Sequence, residues 1–129
     1  MGQMIAFKRP DGKACSGYLA DSTKPGNPSV VMLQEWWGLN AQMKGLADRM
    51  AAAGFTTLVP DLYHGKLAKD GDEASHMMNT LDFRQAAHQD IKGAVTHLQA
   101  LSGKIGVMGY CMGGALTIAA GVHLSLIHI

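Results

Sequence analysis

The residues with the clearest capacity for chemistry are Gly109-Tyr110-Cys111-Met112-Gly113, a Gly-x-nucleophile-x-Gly pattern with cysteine at its centre. Glycine on either side permits a turn so tight that the central side chain is pushed outward. A helix beginning directly after the thiol sets partial positive charge beside the sulfur, which suits an anionic nucleophile. The chemistry implied is nucleophilic attack by the sulfur. Most free cysteines are small buried hydrophobes, and that is the expectation for Cys15, which sits mid-strand with no motif around it. For Cys111 the flanking glycines favour the nucleophile.

A second group is Gln34-Glu35-Trp36-Trp37-Gly38. If residues 29–34 form a strand, Glu35 stands at its carboxyl end, as Cys111 does after residues 104–110. In an open parallel sheet the site forms along that common edge, so Glu35 and Cys111 share one side of the molecule. A carboxylate there can hold or accept the thiol proton. The backbone N–H groups of Trp36 and Met112 are then placed to meet a developing oxyanion. Spacing alone leaves an exposed loop carboxylate as an equal alternative for Glu35.

These positions need a scaffold, and the chain supplies the signals for one. Gln3–Lys8 and Ala14–Ala20 read as strands around the turn Pro10-Asp11-Gly12, an antiparallel opening pair. Residues 21–28 are a loop. Residues 29–34, 55–59 and 104–110 are apolar runs of the kind buried on both faces of a parallel sheet. Asn40 caps a helix with Met43, Leu46, Ala47 and Met50 on one face, and Gly54 ends it. A short helix is expected over 73–78. A longer one is expected over 82–101, with Phe83, Ala87, Ile91, Ala94 and Leu98 on one face and Gly103 beyond its end. A last helix starts near Met112, where Gly114 eases packing on the strand. The alternation specifies an α/β fold, a mostly parallel sheet wrapped by helices.

The bulk numbers exclude several classes. With 129 residues, 47% hydrophobic and 16% charged, the chain reads as one globular domain rather than a disordered one. A formal net charge of +1 gives no electrostatic reason to expect nucleic acid or an anionic membrane as partner. The two cysteines make no disulfide framework, and a reducing cytoplasm is the expected compartment. The first ten residues lack the basic and apolar regions of a secretory signal, Ala6 replaces the Ser or Thr of a myristoylation motif, and residues 115–129 are too short and interrupted to span a membrane. His88 and His97 lie on one expected helix at a separation that fits no i,i+4 metal pair, and His76 is isolated. The nine methionines read as core filler.

Together, Gln34-Glu35-Trp36-Trp37-Gly38, Pro60-Asp61-Leu62-Tyr63 and Gly109-Tyr110-Cys111-Met112-Gly113-Gly114 resemble the dienelactone hydrolase family (carboxymethylenebutenolidases) of the α/β-hydrolase superfamily. The similarity runs to about Val122. It implies a cysteine hydrolase that opens an enol-lactone or related small ester without metal or organic cofactor. Cys111 would be the nucleophile, Glu35 the group that takes the thiol proton, Trp36 and Met112 the oxyanion donors, and Gly109 and Gly113 the glycines of the elbow. The family's triad adds an Asp and a His well downstream. It also implies an Arg binding the substrate carboxylate, at a place where this sequence has Gly71; Lys66 or Lys69 are the nearest cations, as point charges rather than forks.

No carboxylate follows Asp90, so an elbow triad in the order nucleophile, acid, His has no acid here. A helix from Met112 carries His123 roughly 15 Å or more from the elbow, and His128 has no better claim. His64, after the second buried strand, is the local candidate base, with a solvated loop residue as the more ordinary reading. Residues 1–123 are therefore expected to be the N-terminal part of a single α/β-hydrolase domain, truncated after the nucleophile helix and feebly active at most. Residues 124–129, Leu-Ser-Leu-Ile-His-Ile, match one reading frame of a common transposon-end sequencing adapter and are expected to be a non-native tail. Two other readings stay open: a glutamine amidotransferase-like thiol enzyme, and a non-catalytic binding module on the same fold.

Overall fold

The computed structural model describes residues 2–24, 26–101, 103–124 and 127–128. Strands β1 (Gln3–Lys8) and β2 (Ala14–Ala20) form a hairpin around the expected turn, with Gly12 at φ 84°. Then come β3 (Ser29–Leu33), α1 (Ala41–Ala52), β4 (Thr56–Pro60), α2 (Gly71–Thr80), α3 (Phe83–Gln85), a π-helical turn (Ala86–Ile91), α4 (Lys92–Gln99), β5 (Ile105–Gly109), α5 (Met112–Leu124) and a two-residue β6 (Ile127–His128). The sheet order is β1-β2-β4-β3-β5-β6. β2 joins β4 antiparallel, and β4, β3, β5 and β6 are parallel neighbours. This is the α/β-hydrolase arrangement expected.

Period-two alternation divides the central strands between two cores. Val31, Leu33 and Leu58 face one side with Ile91, Leu98 and Leu116 of the helices, while Met32 and Val59 face the other with Met43 and Ala47 of α1. Both faces of β3 and β4 are thus buried, as their continuous apolar sequences require. Asn40 accepts the Met43 N–H at 3.1 Å and starts α1, and Gly54 at φ 106° follows its end.

Several expectations need correction. The helix drawn over 82–101 begins after Asp82, whose side chain caps Gln85 N, and its middle is π-helical rather than α-helical. The apolar spacing survives this change, with Ala87, Ile91, Ala94 and Leu98 all buried, which is why sequence period did not reveal it. β4 is shifted one residue toward the C-terminus, β3 stops at Leu33, and α2 is longer than 73–78 because Asp70 caps it by accepting from Glu73 N. Met4 is 47% exposed and is not core filler. Of the suspected tail, Leu124 ends α5 and Ile127–His128 pair with β5; residues 125, 126 and 129 lie outside the described residues. No helix among the described residues is long and apolar enough to cross a membrane.

Candidate active site

β5 delivers the elbow. Cys111 is exposed and has φ 56°, a left-handed conformation that costs a non-glycine residue about 1–3 kcal/mol and persists only where its surroundings enforce it. The enforcement is visible at the two glycines. A Cβ at Gly109 would collide with the backbone of Gly113, and one at Gly113 would collide with Leu33 O and lie 2.7 Å from Gln34 O. The elbow therefore closes on itself and presses against the end of β3. Gly114 does not have the packing role expected of it, since a Cβ there would meet Gly109 O at an ordinary 3.6 Å. Gly114 N and Ala115 N both donate to Cys111 O, at 2.9 and 3.2 Å, so α5 starts on the carbonyl of Cys111.

The register of the parallel sheet sets Glu35 beside this turn. Leu33 and Gly109 are direct partners across β3 and β5, and Glu35 and Cys111 each follow two residues later at the same edge. Glu35 is half-buried rather than a freely solvated carboxylate. Its carbonyl accepts Gly38 N at 3.2 Å, closing a tight turn from which the chain leaves through Gly38 at φ 99°. Within that turn Trp36 and Trp37 stack edge-on, ring centres 5.5 Å apart. Among the described residues, neither Trp36 N–H nor Met112 N–H donates to a backbone or side-chain acceptor.

The loop after β4 completes the surroundings. Tyr63 is buried and its hydroxyl donates to Met112 Sδ at 3.4 Å. Burial pushes the Tyr63 hydroxyl pKa up, and the charge of a Cys111 thiolate pushes it further, so the phenol stays protonated beside the Cys111 sulfur. Asp61 shapes this loop: its two oxygens accept Tyr63 N at 3.2 Å and Gly65 N at 2.7 Å. Gln34 Oε1 accepts Leu62 N at 3.0 Å from the β3 side. Gln34 Nε2 is buried without a hydrogen-bond partner among the described residues. Reading the sequence singled out none of Tyr63, Asp61 or Gln34 for a role, although an Asp opening a turn that ends in glycine is a recognisable brace.

His64 is held elsewhere. Its Nε2 lies 3.5 Å from Asp90 Oδ2, so the imidazole is engaged with the π-helical turn and is neither a base at the elbow nor a purely solvated residue. His88 falls on the π-helical turn, and His97 on α4, tilted against Phe7 with centroids 6.2 Å apart. His123 lies in the last turn of α5. Lys66 and Lys69 are exposed on a stretch attached to the Glu35–Gly38 turn, where Ala68 N donates to Trp37 O at 3.1 Å.

Comparison with known proteins agrees with this geometry. The family model described as "Dienelactone hydrolase family" matches residues 15–127. "Protein usf" of Aquifex pyrophilus is 35% identical over 127 residues, covering 92% of this chain and 54% of that protein. The carboxymethylenebutenolidase of Pseudomonas putida is 27% identical over 124 residues, covering 87% and 52%. Among solved structures, a dienelactone hydrolase-like promiscuous phosphotriesterase from metagenomic libraries superposes with a TM-score of 0.74 at 26% identity, over 93% of this chain and 54% of that one. The α/β hydrolase GrgF from Penicillium sp. gives 0.76 at 27%, over 95% and 42%. The chain spans about half the length of these relatives.

Proposed function

The chain belongs to the dienelactone hydrolase family, and from that premise we propose that it carries the acylation half of a thiol-dependent hydrolase acting on a small enol-lactone or related ester. The observation that supports this best is Cys111 itself, exposed and held at φ 56° between two glycines that admit no side chain. A thiol kept in a strained, outward conformation at a strand–helix junction serves chemistry better than packing.

In this reading Glu35 takes the proton as Cys111 Sγ bonds to the substrate carbonyl carbon. The carbonyl π pair moves to oxygen, where Trp36 N–H and Met112 N–H stabilise it. Collapse expels the enolate or alkoxide oxygen, which recovers a proton and leaves an acyl-thioester on Cys111. Water then cleaves the thioester to a carboxylate and the free thiol. The Asp and His that the family resemblance assigns to the triad have no counterpart after Cys111 in this sequence, where no carboxylate follows Asp90. These 129 residues by themselves are accordingly proposed to be feebly active at most, with deacylation the slower step. Lys66 or Lys69, on the stretch bonded to Trp37, would attract a substrate carboxylate as point charges. Family membership leaves the amidotransferase reading without support.

The test is a burst experiment with p-nitrophenyl acetate. One equivalent of nitrophenolate and one acetyl group located on Cys111 by mass spectrometry are expected, followed by slow turnover. Glu35→Gln should slow acylation by roughly 10²–10⁴-fold. A burst that persists in Cys111→Ala, which leaves no nucleophilic atom at that position, would overturn the assignment, and no burst at all in the parent would favour a non-catalytic module.

A further inference from the structure

We propose that Cys15, His64 and Asp90 form a binding site for a thiophilic divalent cation of the zinc class, separate from the Cys111 elbow. The three residues come from β2, from the loop after β4 and from the π-helical turn. One sulfur, one imidazole nitrogen and one carboxylate oxygen lie within 4.8 Å of one another.

The donor set selects the ion. Sulfur, nitrogen and oxygen together suit a borderline-soft metal, whereas calcium and magnesium favour oxygen alone. Zinc bond lengths of about 2.0–2.3 Å correspond to ligand–ligand edges of roughly 3.3–3.8 Å in a tetrahedron. A closure of about 1 Å therefore completes the site. His64 can supply that movement, because its side chain is 52% exposed while that of Asp90 is 3% exposed. The same exposure gives the ion a route in and leaves a fourth position facing solvent.

The charges also balance. Arg9 bonds Asp11 through Nε and Nη2, and reaches Asp90 Oδ1 through Nη1 at 3.2 Å. The other Asp90 oxygen, Oδ2, is the one facing His64. One guanidinium thus serves two carboxylates, and the cluster keeps a net negative charge before the ion arrives. On binding, the Cys15 S–H bond breaks, its proton passes to solvent, and the sulfur bonds to the metal. Thiolate and carboxylate then match the two positive charges of the ion, and neutral imidazole adds a third bond. His64 stands at φ 52°, another left-handed non-glycine residue, with the brace of Asp61 on either side of it.

Cobalt(II) titration of the chelator-stripped chain tests the proposal, because a thiolate–cobalt bond gives a charge-transfer absorption that carboxylates and imidazoles do not. One equivalent should saturate the band, zinc should displace it, and Cys111→Ser should keep it. Cys15→Ser and His64→Ala should each abolish it, with circular dichroism showing that the fold is kept. His64→Ala changes a half-exposed side chain, so it stays informative if the buried Cys15 variant misfolds. No band in the parent overturns the site and leaves a polar tether, as does a band lost only in Cys111→Ser. None of these readouts depends on hydrolytic activity, so the site and the proposed function fail separately.

Discussion

A matched pair of glycine-to-alanine changes at adjacent positions isolates the closure of the elbow on the sheet. At Gly113 the new Cβ would strike Leu33 O and lie 2.7 Å from Gln34 O, below the 3.0 Å that real Cβ contacts respect. Both obstacles are backbone atoms of β3 and of the residue just after it, so neither can rotate aside. The start of α5 must then lift off the sheet edge, loosening Met112 and Leu116 in the main core. Overpacking of this kind costs about 1–3 kcal/mol, and here it acts against backbone, so about 2–3 kcal/mol is expected. For a chain of this size that lowers Tm by roughly 6–15 °C. At Gly114 the new Cβ meets only Gly109 O at 3.6 Å, and the residue lies in α5. Gly114→Ala should therefore be neutral or stabilising by up to about 1 kcal/mol. Thermal melts of both variants give the comparison, and the alkylation rate of Cys111 reports separately on the thiol. A Gly113→Ala variant within about 0.5 kcal/mol of the parent would refute the claim that β3 enforces the elbow.

Two further outcomes follow from features away from the thiol. The Arg9 guanidinium holds Asp11 below its ordinary value of 3.8, so ionised Asp11 contributes stability above that pH and the contribution is lost as pH falls through the lowered folded-state value. Asp11→Asn should accordingly lower Tm at pH 7 and converge on the parent at the acid end of a pH series; a constant difference down to strong acid would contradict the linkage. On α5, Ile118 and Val122 are 70% and 71% exposed and lie one turn apart on the same outward face. Ile118→Glu with Val122→Lys should reduce self-association in size-exclusion chromatography without altering circular dichroism, and an unchanged elution profile would show that this face is not the adhesive one.

What was legible in the sequence was what depends on neighbours in the chain. The glycines of the elbow, the Asn40 cap and the apolar runs of β3, β4 and β5 each carry their physical reason within a few residues. Placing Glu35 beside Cys111 needed one further step, the shared carboxyl edge of a parallel sheet, and the Leu33–Gly109 pairing supplies it. The contact of Tyr63 with the elbow was hidden because an aromatic residue after Asp61-Leu62 looks the same whether it fills a core or meets Met112 beside Cys111. The π-helical turn was hidden because it keeps the spacing of the buried face. The cluster of Cys15, His64 and Asp90 was the least legible of all, since no short spacing links residues from β2, a loop and the π-helical turn.

The loop after β4 explains how two separate groupings arise so close together. Asp61 accepts from Tyr63 N and Gly65 N, and Gln34 accepts from Leu62 N, so three backbone donors of this turn, at positions 62, 63 and 65, are fixed by two buried side chains. With His64 forced to φ 52° between them, successive side chains diverge: Tyr63 reaches Met112 beside the thiol, and His64 reaches Asp90. Relaxing that one residue to an ordinary backbone angle would redirect both side chains. The strain at His64 is thus sustained by the same hydrogen bonds that seat Tyr63 beside the elbow, and the two sites share a brace while differing in chemistry.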